Sequence, residues 1–365
     1  MDIKILAINP GSTSTKIAIF KNSRPAFLKS ISHPASELEK FKTVTDQYQY
    51  RKDHILKELE ASNVDFSTVQ AIVARGGLIR PIQSGVYLIN EQMKEDLRKG
   101  ILGEHASNLG GLIADDLAKQ IPGCKAFIAD PVVVDELDEV ARFTGHPEFK
   151  RYSIFHALNQ KAIGRAYARL INRKYEELNI IIAHMGGGVS VGAHKLGRVV
   201  DVNQALDGEG PFSPERSGTL PAGALAKMCF DKDITLDEIK KKITGHGGLM
   251  AYMGTNSAYE VELMAQDGNE EARKIQDAMA YQIGKEIGSL SAVLKGDVDA
   301  IILTGGVSHN TMIVEYIKTM VSFIAPVVIY PGEDEMHALA WNGLLVLKGE
   351  IDYKEYNEST MVNID

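Results

Sequence analysis

The alternation of apolar and polar stretches predicts an α/β protein in which one strand–turn–strand plan occurs twice. A polar, hydroxyl-rich turn separates two apolar strands, Ile3–Ile8 and Lys16–Phe20. The same plan returns at Asn179–Ala183 and Val189–His194, this time around a glycine-rich turn. Short apolar runs bounded by turn residues are typical of strands. The repetition indicates an internal duplication.

Helical spacing of apolar residues occurs between and after these two hairpins. Apolar positions three or four residues apart predict helices that include residues 109–117, 162–171, 275–294 and 335–348. Further strands are predicted at residues 70–74, 126–130, 300–303 and 327–330. Strands and helices therefore alternate along the whole chain.

The length predicts two domains. At 365 residues the chain exceeds what one hydrophobic core usually fills, so a cleft between two domains is expected. No linker rich in proline, glycine or serine separates the halves, and we expect a helical hinge near residue 152. The first domain is then residues 1–152 with the C-terminal segment 336–365, and the second is residues 153–335.

Charge and cysteine content exclude several classes of partner. The formal net charge is -8 and no run of lysine and arginine occurs, which disfavours nucleic acid and anionic membranes as partners. The two cysteines, Cys124 and Cys229, lack metal-site spacing and fit a reducing compartment. The N-terminus has no signal-peptide core, and no apolar run approaches the roughly 20 residues of a spanning helix. We expect a cytoplasmic protein.

Three turns rich in glycine or hydroxyl side chains each follow a short buried strand. They begin at Asn9, His184 and Thr304. Backbone N–H groups in such turns can bind phosphates without obstruction by side chains. One such turn is more often only a tight turn that requires φ > 0. Three of them favour a nucleotide site, and the absence of GxxxxGK[ST] excludes a Walker-type loop.

Seven motifs carry a resemblance to a known family. They are Asn9–Lys16, Glu104–Asn108, Ile128–Asp130, Ser153–His156, His184–Gly188, Pro214–Gly218 and Leu303–Val307. In this order they resemble the acetate and butyrate kinase family, which belongs to the superfamily of sugar kinases, heat-shock chaperone ATPases and actin. The motifs at 104–108 and 214–218 look like the butyrate kinase branch.

The resemblance implies a fold and an activity. The fold is α/β, with two duplicated actin-like, ribonuclease H-like ATPase domains and a nucleotide cleft between them. The first domain would be on the substrate side and the second would bind the nucleotide. The activity is reversible in-line transfer of the γ-phosphoryl group of ATP to butyrate or a related short or branched-chain fatty acid. Mg²⁺ and a homodimer or larger homo-oligomer are implied as well.

Such a reaction needs positive charge and hydrogen-bond donors more than a base. A fatty acid has a pKa of about 4 to 5 and is already ionised at pH 7. Two anions must approach each other, and charge develops on the equatorial oxygens of the transferred group. The candidate cations and carboxylates are Arg216, Arg75, His105, His156, His184, Asp130 and Glu335.

The resemblance distributes roles over these and neighbouring residues. Catalytic roles fall on Arg216, His156, Arg75 and Asp130. Substrate binding falls on His105, Ala74, Arg75 and Phe155. ATP/ADP binding falls on Asn9, Ser12, Ser14, Lys16, His184, Gly186, Gly187, Gly188, Gly305, Gly306 and Val307. The Mg²⁺ site falls on Asn9, Asp130 and Glu335.

The chain departs from the acetate kinases at several of these positions. Ile72 occupies the place of their catalytic arginine, so we expect Arg75 to supply the cation from a shifted position. Gly187 replaces an asparagine in the phosphate loop. Ala74 replaces a valine, which would enlarge an apolar pocket and favour a longer or branched acid at about 0.8 kcal/mol per buried CH₂. The spacing from Pro331 to Glu335 differs by one residue.

Other readings stay open at this point. His105 could be only a helix cap, Asp130 could only cap a turn before proline, and Arg216 could be a solvated surface charge. Acetate, propionate or isobutyrate could be the preferred acid. A nucleotide-operated clamp of the chaperone or actin type would use the same loops without transferring phosphate to an acid.

Overall fold

The computed structural model describes residues 2–362, which form two compact units. Unit one comprises residues 2–135 with 334–362, and unit two comprises residues 136–333. Residue 152 therefore lies inside unit two, in a stretch that is not helical. Arg151 explains this position, because it pairs with Asp201 at 3.0 Å and with Glu209 at 2.5 Å, both in unit two.

The chain order of strands and helices is as follows. The strands are β1 (Lys4–Pro10), β2 (Ser14–Lys21), β3 (Arg24–Ser32), β4 (Ala71–Arg75), β5 (Val86–Leu88), β6 (Lys125–Ala129), β7 (Asn179–Met185), β8 (Val189–Lys195), β9 (Arg198–Val202), β10 (Ala300–Gly305), β11 (Val327–Pro331) and β12 (Lys354–Glu355). The α-helices are α1 (Ala35–Leu38), α2 (Tyr48–Ala61), α3 (Glu91–Lys99), α4 (Asn108–Ala118), α5 (Ala157–Leu170), α6 (Ala222–Cys229), α7 (Leu236–Ile243), α8 (Gly248–Met253), α9 (Ala258–Gln266), α10 (Glu270–Val293), α11 (Thr311–Val321) and α12 (Glu335–Leu347). Short 3₁₀ helices occur at Thr45–Gln47, Phe66–Thr68, Glu139–Arg142, Tyr175–Glu177 and Gly306–His309. All the helices and strands predicted from the apolar pattern are present.

The two units repeat one strand order. Within residues 2–362, the sheet of unit one has the order β12-β5-β6-β4-β1-β2-β3, and that of unit two has the order β11-β10-β7-β8-β9. In each unit the first strand forms an antiparallel hairpin with the second and a parallel pair with the fourth strand of the repeat. The segment β6-β4-β1-β2-β3 thus matches β11-β10-β7-β8-β9. This match confirms the internal duplication.

Helices cover both faces of the sheet in unit one. Helix α12 crosses Val73 of β4 at Gly343, where an added Cβ would lie 2.6 Å from Val73 Cγ2. On the other face α4 crosses Ala74 at Gly110, where an added Cβ would lie 3.3 Å from Ala74 Cβ. Because neighbouring residues of a strand point to opposite faces, Arg75 projects on the same face as Val73, toward α12.

The sheet of unit two is covered in the same way. Ile181 and Ala183 of β7 pack in a core cluster with residues of α10 and α11. Ile180 and Ile182 pack with Tyr167 and the segment around Tyr175 on the opposite face. The nearly continuous apolar run of β7 is therefore buried on both faces, as is usual for a central strand of a sheet that helices cover on both sides. No helix within residues 2–362 has the length and apolar character to cross a membrane.

Candidate active site

The carboxyl ends of β1 and β4 bring three predicted residues of unit one together. Asn9 lies at the end of β1, and its Nδ2 donates a hydrogen bond to Glu335 Oε2 at 2.5 Å. Arg75 ends β4, and its Nη1 lies 3.2 Å from Glu335 Oε1. Glu335 opens α12, where Asp334 caps the helix by accepting a hydrogen bond from His337 N at 3.0 Å. The cap and the parallel register fix an Asn–Glu–Arg group in which Asn9 and Glu335 are buried and Arg75 is partly exposed.

The Asn9–Glu335 pair fits a magnesium ion. Asn9 is 6% exposed, and its Oδ1 has no hydrogen-bond partner within residues 2–362. Mg²⁺ prefers oxygen ligands and usually takes one or two carboxylates while retaining several waters. No cluster of three or more histidine, cysteine, aspartate or glutamate side chains in the described part of the chain could hold a metal by itself. Asn9 and Glu335 thus offer two oxygen ligands, and their role at a metal remains a prediction.

Asp130 and His105 have local roles in their own turns. Asp130 adopts φ 37°, and its Oδ1 accepts hydrogen bonds from Ser84 Oγ at 2.6 Å and Gly85 N at 2.9 Å. His105 Nδ1 lies 2.8 Å from Ser107 Oγ and accepts a hydrogen bond from Ser107 N at 3.2 Å, just before α4. These contacts support the capping alternatives for both residues. The substrate-binding role of His105 and the catalytic and metal-binding roles of Asp130 remain predictions.

A buried arginine organises the hydroxyl-rich hairpin turn of unit one. Arg51 of α2 is 1% exposed. Its guanidinium donates to Gly11 O at 2.8 Å and to Ser12 O at 3.0 Å. It also reaches Ser14 O at 3.3 Å. Burial lowers the pKa of the Arg51 guanidinium. Because one cation binds the carbonyl groups, the turn has a fixed shape while Ser12 remains exposed.

The other predicted residues of this hairpin differ in exposure. Lys16 is exposed on β2, directly across the hairpin from Asn9, so both side chains project on the same face. Ser14 is partly exposed. Ala74 projects on the opposite face and is fully buried against α4. The structure therefore brings Lys16, Asn9 and Arg75 to one face and places Ala74 in the core.

His33 supports the same turn and predicts a pH dependence of stability. Its Nε2 lies 2.8 Å from Thr15 Oγ1. Burial, followed by the charges of Arg51 and His54, lowers the pKa of His33 from 6.5 to about 4. Between about pH 6.5 and pH 4, His33 is therefore protonated in the unfolded chain but not in the folded chain. His33 contributes stability that is complete above pH 6.5 and is lost as the pH falls toward 4.

Urea unfolding of the wild type and His33→Gln between pH 7 and 4 measures this contribution. We expect His33 to account for a decrease of about 3 kcal/mol in the free energy of unfolding over that range. The variant should lose this part of the slope. His246→Gln, which changes an exposed histidine, is the control and should keep it. An unchanged slope in His33→Gln would contradict the assignment.

In unit two, the predicted catalytic arginine packs against the glycine turn that follows β7. An added Cβ at Gly188 would lie 2.0 Å from Arg216 Nη1, so the guanidinium lies directly against the turn. Arg216 Nη1 donates a hydrogen bond to Ala205 O at 2.5 Å. Ser213 Oγ donates to Gly187 O at 2.7 Å. The loop that carries Arg216 is thus docked on Gly186–Gly188, which excludes a freely solvated surface charge.

Main-chain hydrogen bonds attach the loop at residues 213–217 to residues 243–250. Ser217 N donates to Ile243 O at 3.0 Å, and Gly245 N donates to Glu215 O at 2.7 Å. Leu249 N and Met250 N donate to Ser213 O and Pro214 O at 3.2 and 3.0 Å. Arg216 itself forms a β-bridge with Thr244. The backbone around Arg216 is therefore fixed on the side away from the glycine turn.

Two predicted histidines of unit two stack on each other. The rings of His156 and His184 are nearly parallel at 17°, with centroids 3.9 Å apart. His184 Nδ1 lies 2.8 Å from Asn159 Oδ1. Its Nε2 lies 3.2 Å from Glu333 Oε1, a contact between a potential cation and a carboxylate that is outside good hydrogen-bond geometry. His184 lies beside Gly186, since an added Cβ there would lie 3.0 Å from His184 Nε2.

The remaining predicted residues of unit two are mostly interior. Gly305 has φ 92°, and an added Cβ would lie 2.4 Å from Met185 O, so only glycine fits this approach of β10 to β7. Val307 is 6% exposed and belongs to the core, and Phe155 is 2% exposed. Gly306 is exposed with open space around it. Of these residues only Gly306 is exposed, and the nucleotide-binding and substrate-binding roles of all four remain predictions.

Several supporting residues escaped the sequence motifs. No local sequence pattern indicates the contacts of Arg51 with the turn at Gly11, or those of Asn159 and Glu333 with His184. Ser190 is another such residue, because its Oγ lies 2.9 Å from His156 Nδ1. It follows the matched glycine turn and Val189 in the sequence. A hydroxyl side chain within an apolar strand was the feature of the sequence that could have indicated Ser190.

Comparison with known proteins identifies the family. The family model described as the Acetokinase family matches residues 142–325. Over 356 residues the chain is 55% identical to Butyrate kinase 2 of Clostridium acetobutylicum, which covers 98% of this chain and 100% of that protein. The chain belongs to the acetokinase family. Butyrate kinase 1 of the same organism is 53% identical to this acetokinase-family chain over 353 residues, 97% of this chain and 99% of that protein.

Solved structures of acetokinase-like proteins have the same fold. The acetate kinase of Porphyromonas gingivalis gives a TM-score of 0.76 at 20% identity and covers 94% of this chain and 100% of that chain. A propionate kinase from Francisella tularensis gives 0.74 at 17% identity, with 93% and 98% covered. At these identities the similarity concerns the fold alone. Together with the repeated strand order, it confirms the duplicated actin-like ATPase architecture of this acetokinase-family chain.

Proposed function

We propose that the protein is an ATP-dependent butyrate kinase. A carboxylate oxygen of butyrate attacks the γ-phosphorus of ATP, and the bond from that phosphorus to the β–γ bridging oxygen breaks. The products are butyryl phosphate and ADP, and no proton is transferred in the step. The observation that carries the proposal is the 55% identity to Butyrate kinase 2 over 98% of this chain. The reverse transfer uses the same groups.

Unit two supplies the donors for the phosphate chain. The backbone of Gly186–Gly188 and the exposed Gly306 bind phosphate and nucleotide, with His184 beside the turn. Arg216 binds the transferred group as charge develops on its oxygens, supported by its position against Gly188. Preorganised donors of this kind act without reorganisation at the moment of reaction. His156 donates a hydrogen bond to the same group.

Unit one supplies the groups for the acid and the metal. Asn9 Oδ1 and the Glu335 carboxylate would hold Mg²⁺, which, when bound, supplies positive charge to the phosphate oxygens. Arg75, one nitrogen of which pairs with Glu335, binds the carboxylate of the acid through its remaining donors. Ser12, Ser14 and Lys16 bind the phosphoryl group from the hairpin turn. The exposed position of Lys16 and the fixed shape of the turn support this role.

Location and assembly belong to the same proposal. Both cysteines are free thiols, and burial raises the pKa of the Cys124 thiol to about 11. Free cysteines without a disulfide are usual in reducing compartments, which supports a cytoplasmic location. A homodimer or larger homo-oligomer remains an expectation from the family.

A hydroxamate assay tests the activity. We expect the protein to consume ATP only when a short-chain acid and Mg²⁺ are present, and hydroxylamine to trap the acyl phosphate. The ratio kcat/KM should be highest for butyrate or isobutyrate and lower for acetate, since each buried CH₂ contributes about 0.8 kcal/mol. A preference for acetate or propionate would reassign the substrate within the family. ATP consumption that ignores every acid, with no hydroxamate, would favour the nucleotide-operated clamp.

A further inference from the structure

A chain of buried polar side chains in unit two ends at His156. Its other members are Tyr175, His194, Gln160 and Ser190, of which the last three are fully buried and Tyr175 is 4% exposed. The successive heavy-atom distances are 2.5 Å from Tyr175 to His194, 2.8 Å from His194 to Gln160, 2.9 Å from Gln160 to Ser190 and 2.9 Å from Ser190 to His156. A buried chain of this kind is stable only when each donor meets an acceptor. The position of every proton can therefore be worked out.

The amide of Gln160 is the fixed point of this chain. Its Nε2 lies 3.0 Å from the main-chain oxygen of Ser190, and a carbonyl oxygen can only accept a hydrogen bond. The NH₂ group must therefore be on that side, and its second hydrogen points to Ser190 Oγ at 2.9 Å. Gln160 Oε1 then faces His194 Nε2 at 2.8 Å and can only accept. His194 Nε2 carries a hydrogen.

The far end of the chain agrees with this direction. Burial, together with the charges of Lys161 and Arg165, lowers the pKa of His194 well below its ordinary value, so the ring is neutral. A neutral ring with hydrogen on Nε2 has an acceptor at Nδ1. The Tyr175 hydroxyl, 2.5 Å away, donates to it. The amide of Gln160 is thus held in one orientation from both sides.

Ser190 transmits this direction to His156. Its Oγ accepts from Gln160 Nε2 and also from the main-chain N–H of His156 at 3.4 Å. A hydroxyl has two acceptor positions and one hydrogen, so both acceptor positions are used. The single hydrogen of Ser190 is left for His156 Nδ1 at 2.9 Å.

We propose that Ser190 and Gln160 are positioning residues that hold His156 as the neutral tautomer with hydrogen on Nε2. Hydrogen on Nδ1 would require a third donor into Ser190 Oγ, which has no acceptor position left. His184, stacked at 3.9 Å and itself 3.2 Å from Glu333, faces the ring of His156. The inference rests on the proposed function only where it concerns catalysis.

The assignment gives His156 a single chemical role. With Nδ1 accepting from Ser190 and Nε2 protonated, the ring has no lone pair available as a base or nucleophile. It can donate one hydrogen bond to an anionic oxygen and remains unchanged afterwards. A phosphohistidine intermediate at His156 is therefore excluded. The Ser190–Gln160 pair thus deepens the role of His156 in the proposed reaction.

Nitrogen-15 NMR of the full chain, labelled at histidine, tests the tautomer in the absence of substrates. Signals of His156 are identified by their loss in His156→Gln. We expect the wild type to show a protonated Nε2 and an unprotonated Nδ1 at pH 7.5. Ser190→Ala should shift the ring toward a mixture of both tautomers. Gln160→Met, which returns one acceptor position to Ser190, should do the same and serves if Ser190→Ala folds poorly.

Kinetics of the same variants test the consequence for turnover. Partners that orient a metal-binding histidine typically contribute about 10-fold to 100-fold. By analogy we expect kcat of Ser190→Ala to fall by at least about tenfold while KM for ATP changes little. Ser291→Ala is the matched control, because Ser291 only donates its hydroxyl to Gly288 O within α10, at 2.7 Å. The control should retain both tautomer and kcat.

The outcomes separate the two proposals. Hydrogen on Nδ1 in the wild type, or an unchanged tautomer in both Ser190→Ala and Gln160→Met, would overturn the positioning role even if the protein phosphorylates butyrate. A wild type that forms no acyl hydroxamate from any acid would overturn the proposed function even if the tautomer is as expected. A tautomer shift accompanied by a fall in kcat supports both.

Discussion

Arg216→Ala should lower kcat by about 10²–10³-fold while the protein stays folded. Removing one preorganised donor from a developing oxyanion typically has this effect. The guanidinium has a defined place, against Gly188 and hydrogen-bonded to Ala205 O. The loop backbone is held by residues 243–250 independently of the side chain. We therefore expect a melting temperature close to that of the wild type.

The hydroxamate assay with saturating ATP and butyrate gives kcat, and thermal unfolding followed by circular dichroism gives the control for folding. Arg198→Ala is the matched variant. Arg198 is in the same unit, and its exposed guanidinium pairs with Asp138 at 3.5 Å. Exposed pairs contribute about 0–1 kcal/mol, so this variant should keep both kcat and melting temperature. Near-normal turnover in Arg216→Ala would show that Arg216 has no part in the transition state.

Gly248→Ala should have the second large effect, on stability and turnover together. Gly248 opens α8 with φ +58°, and an added Cβ would lie 1.6 Å from Ser213 O. Because the clash is with backbone, the loop at residues 213–217 must move away. We expect a loss of about 3 kcal/mol or more in the free energy of unfolding. A displaced loop also moves Arg216, so kcat should fall even in molecules that remain folded.

Gly254→Ala separates the clash from the backbone conformation. Gly254 ends the same short helix with φ +70°, but nothing lies within 4 Å of an added Cβ. Alanine there incurs only the cost of a left-handed conformation, about 1–2 kcal/mol. Its kcat should stay near that of the wild type. Equal losses of stability and turnover in Gly248→Ala and Gly254→Ala would contradict the proposed contact with Ser213.

The repeated fold could be predicted from the sequence because its signals are local. Each central strand is an apolar run of five or six residues followed by a polar or glycine turn, and β1 and β7 each carry a predicted site residue, Asn9 and His184, at the position before their last. The periodic apolar positions of α10 and α12 were equally clear. The boundary between the two units was not clear from the sequence, because Arg151 joins unit two through ion pairs that no local pattern reveals.

The supporting contacts of the site could not be predicted, since they join residues that are distant in sequence. Arg75 and Glu335 are 260 positions apart, and Arg51 binds Gly11 across 40 positions. Only the fold brings them together. A motif also does not say on which face of a strand a side chain lies. The alternation of β4 directs Ala74 toward α4, where it is fully buried, and its place at an apolar substrate pocket stays a prediction.

The attachment of the Arg216 loop through main-chain atoms affects how its surroundings can change over evolutionary time. Amide and carbonyl groups are the same in nearly every amino acid, so residues 243–250 can accumulate side-chain substitutions while the anchorage persists. Gly247 and Gly248 are exceptions, because added Cβ atoms there would lie 2.4 Å from Ser217 N and 1.6 Å from Ser213 O. Gly245, with φ +104°, and Leu249, which is buried in the core, are exceptions too. Among related sequences, the exposed side chains of residues 243–250 should therefore vary widely, while Gly247 and Gly248 stay unchanged.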